Sequence, residues 1–459
     1  MKTLAPFLLV FFALTSGLLA DVTLAPAAPK AGEAFDIRVE GVWRDSCVPA
    51  DPRLFIADKK LVATLTLSGG GACLSAVTAF STAIHVPGLA AGSYQLSARV
   101  LDYDGPRKFF DKTIQISGAP SGITSILSAF DTSAGNRVVK IRGSFPCAAT
   151  GCTAPTVLFG SKPAEAVERI SDAEIHAVAP AQTHVSVVDV TVLGDGYTYV
   201  LPSGFTYVNL SDYERFLVPV STRNPVPGAL GSLWQSEFRL VNQSGITLEP
   251  GIDVFHLETR EMTNPPLTPN QVVVPALAMP RLDSDVPPTT LLYVRKELAP
   301  FLSPQLRIRD LSRQSETWGT EIPVVRESNL RWNFTLLDIP MKDGFRQTLR
   351  LYITDYVGCC ATRVTFLSPT GEELFKRDVF LQHANGSIGG LVPAPYLREG
   401  SREFPLQPAY AQIDLGSIPE LAGHDSIWIR AQSYGAIHLW GFVSVTNDAT
   451  QHVTMITPQ

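Results

Sequence analysis

The sequence predicts an all-β chain of tandem β-sandwiches, and three observations carry that prediction. The chain has 459 residues, too many for one hydrophobic core, because single cores stop growing below that size and longer chains divide into domains. Hydrophobic residues make up 45% and charged residues 17%, with 34 glycines and 35 prolines spread along the length, which excludes disorder and suits many short strands separated by turns. Most apolar runs are short and alternate with a period of two, which places one set of side chains on one face of a strand.

The first segment predicts export. Met1 and Lys2 precede the apolar run Leu8 to Leu14, and Thr15, Ser16, Gly17 and Ala20 follow, the order of a secretory signal peptide over residues 1–20. The apolar run is shorter than the roughly 20 residues that cross a bilayer. Asp21, not a cysteine, comes after Ala20, which argues against a lipid-anchored start. No later stretch is apolar for long enough to span, so the expectation is a mature chain without a transmembrane segment, secreted or held in a bacterial cell envelope.

Residues 21–117 read as an immunoglobulin-like β-sandwich. Phe35-Asp36-Ile37-Arg38-Val39 and Tyr94-Gln95-Leu96-Ser97-Ala98-Arg99-Val100 alternate, and turn signals at Ala31-Gly32-Glu33, Gly69-Gly70-Gly71 and Ala91-Gly92-Ser93 punctuate such runs.

Residues 119–208 carry six pieces in order: Gly122-Ile123-Thr124-Ser125-Ile126, Val138-Val139-Lys140-Ile141-Arg142-Gly143-Ser144-Phe145, Val157-Leu158-Phe159-Gly160-Ser161-Lys162-Pro163-Ala164, Ser171-Asp172-Ala173-Glu174-Ile175-His176-Ala177-Val178-Ala179-Pro180, Val188-Asp189-Val190-Thr191-Val192 and Pro202-Ser203-Gly204-Phe205-Thr206-Tyr207. In these pieces the segment resembles an IPT/TIG domain, an immunoglobulin-like fold found in extracellular bacterial proteins and in some receptors and transcription factors. Gly143 and Gly160 stand where a strand must turn sharply. Cys147 and Cys152, in the loop after Phe145, depart from that family.

Residues 213–326 and 327–459 read as two copies of one β-sandwich. Gln235-Ser236-Glu237-Phe238-Arg239-Leu240 corresponds to Arg346-Gln347-Thr348-Leu349-Arg350-Leu351. Leu306-Arg307-Ile308-Arg309 followed by Trp318-Gly319 is set against Ile427-Trp428-Ile429-Arg430 followed by Trp440-Gly441. Landmarks at similar spacing predict a duplicated C-terminal half, packed in tandem or face to face. Its last stretch, from Trp440, resembles a tail found on secreted bacterial proteins and implies no activity.

Chemistry is sparse. With 37 basic and 43 acidic residues the net charge is -6, which leaves no electrostatic footprint for nucleic acid. The eight histidines form no helical metal pair, and no nucleophile elbow, P-loop or dinucleotide fingerprint occurs. Neither catalysis, a metal nor a cofactor is expected. Asp102-Tyr103-Asp104-Gly105-Pro106 reads as a hairpin turn rather than a calcium loop, which needs more acidic ligands.

The six cysteines, Cys47 and Cys73, Cys147 and Cys152, Cys359 and Cys360, favour disulfides within each pair in an exported chain. For the adjacent Cys359 and Cys360 a vicinal ring, free thiols and bonds to other chains all stay open. Among the six tryptophans, exposed platforms for sugar rings compete with core placement, and core is favoured for Trp318 and Trp440. The function expected is a non-catalytic binding or adhesion protein with a protein or glycan partner at the cell surface. An accessory or catalytic component of an extracellular hydrolase, with a cleft between the C-terminal sandwiches, and a structural envelope protein are the alternatives.

Overall fold

A computed structural model of the chain describes residues 20–57, 59–69, 72–119, 121–127, 129–146, 153–222, 225–250, 252–255, 267–270, 272–273, 289–313, 319–354, 361–383, 396–399, 402–405, 408–435 and 437–458. Residues 1–19 of the expected export segment, 1–20, lie outside them, as do Cys147, Cys152, Cys359, Cys360 and Trp318, while Ala20 opens the first strand. The described secondary structure consists of strands and three-residue helical turns, so the all-β expectation holds. No helix among the described residues is long and apolar enough to cross a membrane.

The first seven strands are β1 (Ala20–Ala25), β2 (Phe35–Trp43), β3 (Pro49–Ala57), β4 (Lys60–Leu67), β5 (Thr78–Val86), β6 (Gly92–Asp102) and β7 (Gly105–Ile116). They form two sheets, β1-β2-β5 and β3-β4-β6-β7. Alternation is the cause: in β2, Phe35, Ile37 and Val39 are buried while Arg38 and Glu40 are exposed, and the buried set meets Leu61, Leu65, Leu96 and Val100 of the facing sheet. Cys47 and Cys73 are joined in a disulfide, which in the loop-entropy description stabilises this unit by about 3 kcal/mol.

The next nine are β8 (Ile123–Leu127), β9 (Phe130–Thr132), β10 (Val138–Gly143), β11 (Thr156–Phe159), β12 (Lys162–Pro163), β13 (Val167–Ser171), β14 (Glu174–Val178), β15 (Ser186–Gly194) and β16 (Tyr197–Val208). Sheets β13-β14-β10-β8 and β12-β11-β15-β16-β9 enclose Ile141, Phe145, Phe159, Phe205 and Tyr207. Gly160 turns the β11–β12 hairpin with a φ of 61°. Gly143 is needed for a different reason: a Cβ there would stand 2.3 Å from the carbonyl oxygen of Gly122.

The third unit contains β17 (Tyr213–Val218), β18 (Val226–Pro227), β19 (Leu233–Asn242), β20 (Val254–Phe255), β21 (Val272–Val273), β22 (Thr290–Arg295), β23 (Leu302–Asp310), β24 (Thr320–Ile322) and β25 (Val325–Arg326). The fourth contains β26 (Asn333–Pro340), β27 (Phe345–Ile353), β28 (Ala361–Leu367), β29 (Glu373–Phe380), β30 (Gln382–His383), β31 (Tyr396–Glu399), β32 (Arg402–Pro405), β33 (Ala409–Asp414), β34 (Ser426–Ser433), β35 (Leu439–Asn447) and β36 (Val453–Ile456).

Their topologies superimpose. The orders β20-β22-β17 and β21-β19-β23-β24 of the third unit have counterparts in β28-β34-β26 and β33-β27-β35-β36 of the fourth. The C-terminal half therefore repeats one strand order, but the landmarks of the sequence correspondence beyond Leu240 are corrected: Gly319 leads into β24, whereas Trp440-Gly441 lies in β35, the counterpart of β23. Gln235–Leu240 in β19 does match Arg346–Leu351 in β27. Leu306–Arg309 lies in β23, whose counterpart is β35; Ile427–Arg430 lies in β34, which belongs to the opposite sheet. Short strands with the same two-residue period look alike, so the comparison of sequences slipped by one strand.

The third and fourth units pack face to face. On the side of β27 and β35 turned away from their own core, Tyr352, Trp440 and Phe442 join the apolar cluster of Phe216, Val218, Phe238 and Leu306. Tyr352 donates its hydroxyl to the Pro219 carbonyl at 2.9 Å, and Thr320 donates to the Val453 carbonyl at 2.8 Å. The first unit folds back onto the third through a buried ion pair. Arg99 of β6 donates both terminal nitrogens to Asp253, at 2.8 and 2.5 Å, and its Nε to Thr64 at 2.9 Å. Arg295 covers the ring of Phe55 at 4.0 Å, and Phe301 packs so closely on Gly105 that a Cβ there would clash at 2.6 Å.

Candidate functional site

The fourth unit has one sheet, β26-β34-β28-β29, whose outer face carries both aromatic and polar side chains. Strand β34 sets the pattern: Ile427, Ile429 and Ala431 are buried, while Trp428, Arg430 and Gln432 point outward. On β29, Lys376, Asp378 and Phe380 are exposed in alternation, and Arg363 is exposed on β28.

Strand register sorts these residues into rows. Phe380 stands opposite Ala361, and the Tyr434 amide donates to the Ala361 carbonyl at 3.4 Å. The next row runs Asp378, Arg363, Gln432, Asn333, and the one after it Lys376, Thr365, Arg430, Thr335. Trp428 stands opposite Leu367 beyond them. Phe380 is 70% exposed and Tyr434 44%, and Trp332, 52% exposed, stands where the chain enters β26. Aromatic surface therefore lies at both ends of a polar strip. Trp428 and Tyr434 are six residues apart, about 20 Å along an extended strand.

Part of the strip is pre-organised. Arg363 Nε donates to Asp378 Oδ1 at 3.1 Å, the Tyr434 hydroxyl donates to the same oxygen at 2.9 Å, and the guanidinium lies 5.2 Å from the Tyr434 ring centre. The hydrogen bonds from Arg363 and then Tyr434 hold the Asp378 carboxyl below its ordinary range. Loss of solvation and then the bond to Asp378 push the Tyr434 phenol up. Trp428 Nε1 donates to Asp338 at 3.0 Å, and Lys376 pairs with Glu373 at 2.8 Å. Among the described residues the side chains of Asn333, Thr335, Thr365, Arg430 and Gln432 make no hydrogen bond or ion pair within the protein.

The strip is suited to holding a ligand rather than to moving protons. A general acid needs a carboxyl whose pKa is raised, whereas Asp378 is held ionised and Asp338 is engaged by Trp428.

The remaining sequence candidates have structural roles or lie outside the described residues. Asp102 pairs with Arg44 at 2.7 Å and Arg107 at 3.3 Å, and Asp104 with Arg107 at 2.6 Å, so these carboxylates secure the β6–β7 turn. Asp45, Cys47 and Cys73 are the one cluster of three metal-type ligands among the described residues, but both sulfurs are engaged in the disulfide. Trp43 and Trp440 are buried as core. Sequence reading missed Phe380, Tyr434 and the Arg363–Asp378 pair. Phe380 had a usable signal, since alternation puts it on the same face as Lys376 and Asp378, where an apolar ring is out of place.

No protein family and no curated protein matches the sequence. Solved structures that align with the chain include SGBP-B from a complex xyloglucan utilization locus in Bacteroides uniformis, at 10% identity over 96% of this chain and 98% of that one, with a TM-score of 0.17. SGBP-B of the Bacteroides ovatus mixed-linkage glucan utilization locus, in complex with a mixed-linkage heptasaccharide, aligns at 8% identity over 78% and 85% with a TM-score of 0.19. A surface glycan-binding protein from Prevotella bryantii aligns at 10% identity over 94% of each chain with a TM-score of 0.16.

Proposed function

We propose that this chain is a non-catalytic, cell-surface or secreted glycan-binding protein that engages its ligand on the outer face of β26-β34-β28-β29. The observation that carries the reading is the strip of unengaged hydroxyl, amide and guanidinium groups on β26, β28 and β34, with Trp428 at one end and Tyr434 and Phe380 at the other. A sugar ring has apolar C–H faces and a polar rim. Aromatic rings take up the faces, and a few placed polar groups meet the hydroxyls and set orientation. Because the groups stand on a sheet, little ordering cost opposes binding.

The extracellular setting rests on the export-like first segment. Residues 119–208, read as an IPT/TIG-like sandwich, then serve as a rigid spacer. The hydrolase alternative needs an open cleft between the C-terminal sandwiches, and Tyr352, Trp440 and Phe442 fill the contact between those units.

Affinity electrophoresis of the full chain through gels containing soluble plant and bacterial polysaccharides tests the reading. At least one polysaccharide should retard the protein, and the double variant Phe380→Ala, Tyr434→Ala should migrate as in an empty gel. Unretarded migration through the whole panel, or equal retardation of the double variant, overturns it.

A further inference from the structure

Arg430 is the odd member of this face. The other two outward cations there are neutralised on the sheet itself, Arg363 by Asp378 at 3.1 Å and Lys376 by Glu373 at 2.8 Å. Arg430 is exposed at the centre of the sheet and has no ion pair or side-chain hydrogen bond among the described residues. Its direct neighbours across both adjacent strands are threonines, Thr335 on β26 and Thr365 on β28, whose hydroxyls are equally unengaged. Directly opposed side chains have Cβ atoms about 5 Å apart, so one small anionic group can meet the guanidinium and a hydroxyl together. An ordinary solvated arginine shares the exposure of Arg430. It lacks the flanking row of idle donors and the aromatic rings up and down the same strand.

Resting on the glycan-binding reading, we infer that the ligand is an acidic glycan whose uronate carboxylate docks on Arg430 between Thr335 and Thr365. Sugar hydroxyls accept from a guanidinium but bring no opposite charge, whereas a carboxylate supplies acceptor and charge together. The planar fork of a guanidinium matches a carboxylate in a two-point hydrogen bond. Charge also sets the ligand's position. The Asp338 carboxylate beside Trp428 repels an acidic unit at that end, which leaves the acidic unit over Arg430. Rings of the neighbouring sugars then reach toward Trp428 on one side and Tyr434 on the other.

The experiment is isothermal titration of the full chain with oligomers of galacturonate, mannuronate and guluronate, and with the same oligomers after reduction of the carboxyl groups to alcohols. A uronate oligomer should bind at least tenfold more tightly than its reduced counterpart, and raising the salt concentration should narrow the gap. Arg430→Gln should lower the affinity for the uronate oligomer until it lies within about threefold of that for the reduced one, with the denaturation midpoint unchanged. Equal affinity for acidic and reduced forms, or an unaltered preference in Arg430→Gln, overturns the uronate assignment and leaves glycan binding standing. Absence of binding to all these oligomers overturns the assignment as well; the polysaccharide gels then decide whether glycan binding itself survives.

Discussion

Removing Asp253 is the sharpest test of how the units are held together. This carboxylate is buried, takes two hydrogen bonds from Arg99 and accepts the Glu249 amide at 2.8 Å. Burial disfavours its charged form, but the charge and hydrogen bonds of Arg99, helped by Arg295, more than compensate and hold the carboxyl below its usual range. In Asp253→Ala the Arg99 guanidinium stays buried with only Thr64 as an acceptor. Breaking one side of a buried pair costs about 3–5 kcal/mol because the other charge is stranded. That is at least a hundredfold shift in the equilibrium for opening the contact between the first and third units.

Hydrogen–deuterium exchange is the suitable assay, since a chain of several units need not unfold in one step. Amides in β4, β6 and residues 249–254 should lose protection by that amount, with β34 and β35 unaffected. Replacing both partners, Arg99→Met with Asp253→Leu, should restore most of the loss, because two apolar groups leave no stranded charge. A change under about 1 kcal/mol in the single variant, or a double variant as exposed as the sum of the two singles, would refute the stated origin of the rigidity.

Three further outcomes follow from the same structure. Replacing Cys47 and Cys73 with serine should destabilise the first unit by about 3 kcal/mol, read from its urea transition, while the fourth unit keeps its own. Stability should also fall in acid. The carboxyls of Asp253, Glu214 and Asp310 are all held below their unfolded values despite partial or full burial, so their contribution is complete above about pH 5 and is lost as pH falls through the unfolded and then the lower folded values. Denaturation midpoints should be flat between pH 5 and 7 on account of these groups and drop below about 4. A profile flat down to pH 2 would contradict the pairing. Truncating Phe442→Ala, between the third and fourth units, should cost about 3–5 kcal/mol, measured as earlier unfolding of both units.

Much of the fold was legible because burial follows chain periodicity. The runs Phe35 to Val39 and Tyr94 to Val100 became β2 and β6, with the apolar set inside. Trp440 is core, and the duplication survives in the strand order. What escaped was non-local. Arg99 and Asp253 are 154 residues apart, Arg363 and Asp378 meet only through strand pairing, and nothing in their local sequence marks them as partners. The binding face was hidden for the same reason, since its rows run across four strands while the sequence runs along them. Reading tryptophans as the sole platform candidates also passed over Phe380 and Tyr434.

The central claim is that one sheet face holds a sugar chain against its aromatic ends. Titration calorimetry with a polysaccharide that retards the protein, comparing Phe380→Ala and Tyr434→Ala with Phe345→Ala, tests it directly, because Phe345 is exposed on a different sheet. The account predicts that each of the first two weakens binding by roughly 1 kcal/mol or more and that the third leaves it unchanged. Equal affinities for all three variants and the unaltered chain would contradict it.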